Sequence, residues 1–361
     1  MNQAQQARLV ETVQTNCHIA DARHAADMTL CIYLLQMREF HRWERGLPFR
    51  AELARETVGA WIAERESLWA ALEEREFLPL PLTDAKVGAS VDPFDVDIVN
   101  ARLRPAGWLY GAGLAGSDRP VFFLAELHGQ AWREGLQVLT AGRELARGLI
   151  APPAVLGRED ERDAIVIRRE SLARWCWEKY EAFALRRPAG SAFDAAVQAY
   201  GLDLDFEAAL PCWLDEQGET AILHELGEHR AGQLLGPGWA EMRLALPSRR
   251  ADLYARAVRD HLADLGSTLQ TLLERGAAAP IHVWFAGYEG VRELLFPSLA
   301  GAYEAWRRGD GGASLRRAAL QGHAHFERLA RQALALHANG GPLASADIER
   351  LLTSPDAVCR A

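Results

Sequence analysis

From Gln3 to Arg45 the chain carries neither glycine nor proline, and apolar residues recur there at helical spacing. Such a run has few alternatives to helix, because nothing in it supplies a left-handed turn or removes a backbone donor. The spacing predicts one long or once-kinked helix, ended by Gly46 and Pro48. A second helix is expected over Arg50–Phe77, with Trp61, Leu68 and Leu72 on its apolar side and Pro79 and Pro81 as its stop. The two pair as an antiparallel hairpin.

The texture then changes. Trp108–Tyr110, Val121–Leu124, Leu136–Leu139 and Ile165–Ile167 are short runs of β-branched, aromatic and aliphatic residues between turn residues. They predict a small, mostly antiparallel sheet between Pro105 and Arg168, with short helices over Asp95–Leu103 and Arg143–Ile150. Helical spacing returns over Glu170–Leu185, Thr220–Leu235, Ala251–Glu274, Val291–Arg307, Ser314–His337 and Ser345–Leu351. The expected class is mainly α with a small β insert (α+β), its N- and C-terminal helices forming a bundle. Three regions are expected: a helical hairpin over 1–80, a small α+β region over 81–168 and a helical domain over 169–361.

A net charge of −9 and a pI near 5.7 argue against nucleic acid or an anionic membrane as the main partner. Lys86 and Lys179 are the only lysines, and the arginines that supply the remaining positive charge are spread along the chain. Met1–Thr15 lacks the apolar segment of a signal peptide, and the uncharged stretch Met28–Met37 is too short to span a bilayer. Cys17, Cys31, Cys176, Cys212 and Cys359 are odd in number and contain no CxxC pair. That fits reduced thiols in a cytoplasmic protein better than a disulfide framework. The partner expected is an unidentified small molecule or protein, with no nucleic acid and no membrane; a homo-oligomer is compatible.

Gly111-Ala-Gly113-Leu-Ala-Gly116 has the GxGxxG spelling, but a dinucleotide fingerprint needs a helix N-terminus directly after it. Here Ser117–Pro120 reads as a turn and Val121–Leu124 as a strand, so a glycine-rich hairpin corner and no nucleotide cofactor are expected. The richest chemistry lies in His224-Glu225-Leu-Gly-Glu228-His229. Residues four apart share a helix face, which places His224 over Glu228 and Glu225 over His229. On the first helix Asp21 and His24 could serve one ion, and Asp260 and Asp264 share a face of another. Helices carrying acid and His pairs are what a bundle-core metal site needs. No Glu-x-x-His of the ferritin-like di-iron kind occurs. Trp175-Cys176-Trp177 near Arg168, Arg169 and Arg174 could instead form the aromatic wall of an anionic-ligand pocket.

The spacing His-Glu-x-x-x-His resembles the expanded zinc motif of dipeptidyl peptidase III, which has glycine where this chain has Glu228. The resemblance implies His224 and His229 as ligands and Glu225 as general base on a zinc-bound water. That family's downstream pair of glutamates has no counterpart here. Over nearly the full length, Cys17-His-Ile-Ala-Asp21-Ala-Arg-His24 through Arg42-Trp-Glu44, Arg168-Arg-Glu-Ser-Leu172 and His224-Glu-Leu-Gly-Glu228 resemble a bacterial family of conserved hypothetical proteins. It implies one co-folding unit and transfers no catalytic residue.

Two functions are thus expected. One is a metal-binding helical bundle with hydrolytic or oxidative chemistry, holding a divalent transition metal (Zn or Fe). Its ligands come from Asp21, His24, His224, Glu228, His229, Asp260 and Asp264, with Glu225 catalytic. The other is a non-catalytic helical scaffold or dimerisation protein, in which the same residues pair off as separate salt bridges.

Overall fold

The computed structural model describes residues 1–82, 90–115, 119–159 and 162–360. Two compact units divide it, Met1–Glu178 and Lys179–Ala361. The mainly α class with a small, mostly antiparallel sheet is what the structure shows.

In the first unit, helix α1 (Gln3–His24) starts from a capping box between Asn2 and Gln5. The glycine-free run does not stay helical. A 3-10 turn over Ala25–Asp27 separates α1 from α2 (Leu30–Glu44). Helix α3 covers only Arg55–Ala70, and α4 covers Val96–Leu103. Five strands follow: β1 (Trp108–Ala115), β2 (Arg119–Arg133), β3 (Leu136–Arg147), β4 (Ala154–Glu159) and β5 (Arg162–Arg168). Their order is β1-β2-β3-β5-β4, antiparallel throughout except for the β3–β5 pair. Glu134 and Gly135 both take positive φ, which closes β2 onto β3 in a two-residue turn.

Strand alternation gives the sheet two apolar faces. Tyr110, Phe122, Leu124 and Ala146 pack with Leu9, Val13 and Cys17 of α1. Leu109, Phe123, Ala125, Leu139 and Ala141 form the opposite face. Residues 143–147 were expected to be helical but lie in β3, because pairing of Glu144, Ala146 and Arg147 with β2 overrides a local Glu144/Arg147 helix spacing. Register shifts interrupt the β2–β3 ladder between Leu124 and Gly129, opposite Glu144 and Ala141.

Helix α5 (Arg169–Arg186) leads out of β5 into the second unit. That unit is all helical: α6 (Ala192–Tyr200), α7 (Phe206–Leu235), α8 (Gly238–Leu244), α9 (Arg249–Ala263), a π turn (Asp264–Thr268), α10 (Leu269–Glu274), α11 (Ala278–Ala286), α12 (Val291–Leu295), α13 (Ser298–Arg307), α14 (Ala313–Gly340) and α15 (Ser345–Leu352). Asp205 caps α7 well upstream of the expected start at Thr220. Pro297 splits the expected Val291–Arg307 helix into α12 and α13. The core joins Trp239, Met242, Leu262, Leu265, Phe296 and Phe326. At Gly227 the α7 backbone meets α9 so closely that a Cβ would lie 2.4 Å from the Ala263 carbonyl oxygen. Among the described residues no helix is long and apolar enough to cross a membrane.

Candidate ligand-binding cleft

Sequence reasoning pointed to the His224 segment, and the structure does gather part of that set. The Nδ1 of His224 lies 2.9 Å from Oδ1 of buried Asp264, and Arg292 Nη1 lies 3.4 Å from the other carboxylate oxygen. Burial disfavours both charges, but each outweighs that for the other: His224 rises to about 10 and Asp264 falls to about 2. Glu228 pairs with Arg259 at 2.7 Å, and burial raises the pKa of both Glu228 and Asp260. Glu225 adds to the field that keeps His224 protonated. His229 is held by Gln233, with Nε2 at 2.8 Å.

Asp21 and His24 have different partners. The Leu149 N–H donates to both oxygens of Asp21, at 3.0 and 3.1 Å, and burial pushes that carboxyl up to about 7. His24 Nδ1 lies 3.3 Å from Asp27, on the same turn. Among the described residues no group of three or more His, Cys, Asp or Glu is placed to hold a metal ion. Arg38 binds Glu39 at 2.8 Å. His18 and His41 are buried.

The first unit holds a different kind of charged cluster. Glu144 accepts hydrogen bonds from Arg168 Nε at 2.8 Å and from the Ser171 hydroxyl at 2.7 Å, and Arg147 Nη1 lies 3.2 Å from its other oxygen. All four side chains are buried. Burial works against the Glu144 carboxylate, yet Arg168 and Arg147 outweigh it and hold its pKa below the usual range. Burial and the nearby Arg174 lower Arg147 to about 9. Arg174 itself donates to the Leu149 carbonyl at 3.2 Å. Two buried guanidiniums, those of Arg147 and Arg168, thus share one fully enclosed carboxylate. Donors are left over: Nη1 and Nη2 of Arg168, and Nε and Nη2 of Arg147, have no hydrogen-bond partner. Unpaired buried donors on a charged group are costly, so they need a reason.

Beside Arg168 is a cleft of about 590 Å³. Both edge strands, β1 and β4, line it, so the sheet curls around it. Its wall is largely apolar: Leu109, Val121, Phe123, Leu139, Val155 and Val166 contribute, with Val96 and Asn100 from α4. The Arg168 guanidinium stacks on Phe123, 4.4 Å from the ring centroid. Gly111 makes room for that ring, since a Cβ there would lie 2.1 Å from it. The volume falls within the range of small-molecule pockets, and the wall is mainly apolar. The glycine-rich stretch is the expected hairpin: Gly111 and Gly113 sit in β1 against β2, while Gly116 lies outside the described residues.

Sequence reasoning named Arg168 and Arg174 as companions of the Trp175–Trp177 segment, but it missed Glu144 and Arg147. Their signal was two charged residues inside a run that continues Leu136–Leu139, and the helical reading of 143–150 hid it.

No curated protein matches the chain, and no solved structure does. Two family models match it end to end, the N-terminal domain of a family of unknown function (DUF6866) over residues 8–168 and the C-terminal domain of the same family over 173–355. The boundary between them falls at the start of α5, directly after the strand that carries Arg168. The chain is a member of the DUF6866 family.

Proposed function

We propose that the first unit is a small-molecule binding module whose ligand lies in the cleft walled by β1, β2 and the β4–β5 pair. The observation that carries this reading is the cleft itself, about 590 Å³ with a mainly apolar wall drawn from all five strands. A packed core would have filled such a volume. The wall supplies burial for a largely apolar body.

An environment-sensitive apolar dye tests this. The wild-type protein should enhance its fluorescence in a saturable way, and Val121→Trp, which fills the cleft from a half-buried wall position, should abolish the enhancement. Equal enhancement by a folded Val121→Trp variant would sink the reading.

A further inference from the structure

We infer that the ligand of the cleft is a short extended peptide, which adds to the outer edge of β1 as a further strand; this rests on the cleft being a binding site and names the class of its ligand. The lining residues show where the cleft lies. Inner strands contribute alternate residues, Val121 and Phe123 from β2 and Ala164, Val166 and Arg168 from β5, as one face of a strand does. The edge strands contribute unbroken runs, 109–115 from β1 and 155–157 from β4, so there the cleft reaches the strand edge as well as the face. Tyr110 shows which β1 groups point to that edge. Its N–H donates to Asn100 Oδ1 at 2.9 Å and its carbonyl accepts from Asn100 Nδ2 at 3.0 Å, so both face away from β2. By strand alternation the N–H and carbonyl of Ala112 and Leu114 face the same way. The register agrees, because Leu114 stands opposite Pro120, which has no N–H to exchange. No hydrogen bond from another described residue reaches these outward groups, and Leu114 is 61% exposed. The Asn100 side chain is a primary amide, with the donor and acceptor that a peptide bond presents. One position of the edge is thus already paired with an amide, and an extended peptide supplies the next two while its alternate side chains lie on the apolar wall. A hydrocarbon ligand has neither donor nor acceptor for them.

The test is competition against the apolar dye by a capped peptide, Lys-Val-Thr-Val-Thr-Val-Lys, and by a twin with esters in place of its central amides. The twin keeps every side chain and loses the N–H donors. The peptide should displace the dye from wild type about tenfold or more tightly than the twin. Leu114→Pro, which removes one outward donor and no bond to β2, should weaken the peptide about fivefold. Leu114→Ala, which keeps that donor, should weaken it less than about twofold. The wild-type comparison decides the matter even if Leu114→Pro does not fold. Equal displacement by peptide and twin, or displacement by neither, would overturn strand addition while the cleft reading stands. A dye signal that Val121→Trp leaves intact would overturn both.

Discussion

The two units each carry a cluster of charged side chains, and the clusters are closed in opposite ways. Around His224 the charges alternate and terminate: imidazolium on Asp264, Asp264 on Arg292, Glu228 on Arg259. Around Glu144 they do not. Two guanidiniums share one carboxylate inside the protein, and donor nitrogens are left facing no acceptor. The comparison separates two things that look alike in a sequence. A run of His and acidic residues can be a network in which each charge faces its opposite, whereas charges in a sheet can crowd two guanidiniums onto one carboxylate and leave donors unpaired.

The largest effect should come from breaking the buried carboxylate. Glu144→Gln leaves Arg147 and Arg168 buried without their counter-ion, and urea unfolding should show a loss of about 3–5 kcal/mol in the first unit. The matching change in the second unit, Asp264→Asn, should cost less, about 1–2 kcal/mol, because His224 is 34% exposed and can be rehydrated. If the two losses come out equal, the contrast between the clusters fails.

A smaller pair of changes probes the helix scaffold. Gly227→Ala would drive a methyl group into the Ala263 carbonyl and should cost about 1–3 kcal/mol by thermal unfolding. Gly59→Ala, on the exposed face of α3 with nothing near the new Cβ, should instead gain up to about 1 kcal/mol.

pH should divide the clusters too. The folded pKa of His224 is raised, so its contribution is complete below about 6.5 and is lost as pH climbs through about 10. That of Asp264 is depressed, so its contribution holds above 3.8 and is lost toward about 2. Asp21 in the first unit runs the other way from Asp264. Its pKa is raised to about 7, so its stabilising effect is complete below 3.8 and is lost as pH rises toward 7. Urea titrations at several pH values should show the first of these slopes vanish in His224→Gln and the last in Asp21→Asn.

Much of the fold was legible. Helical spacing located α4, α5, α9, α14 and α15, and the β-branched and aromatic runs located the sheet. The errors sit where local and tertiary signals conflict. The break at Ala25–Asp27 has no glycine or proline to announce it. Glu144 and Arg147 are spaced like a helical ion pair, but pairing with Ala125 and Phe123 of β2 places them in a sheet. Of the site, Arg168 was visible beside an aromatic segment. Its unpaired nitrogens and the cleft next to them depend on the sheet curling, which no local pattern encodes.

The most direct test follows side-chain methyl resonances by NMR while an apolar dye is titrated into the intact protein. The account predicts that the methyl signals of Val155 and Val166, which line the cleft, shift saturably, while those of Leu329 in the core of the second unit stay where they are. Unmoved Val155 and Val166 signals at saturating dye, or equal shifts at Leu329, would contradict it.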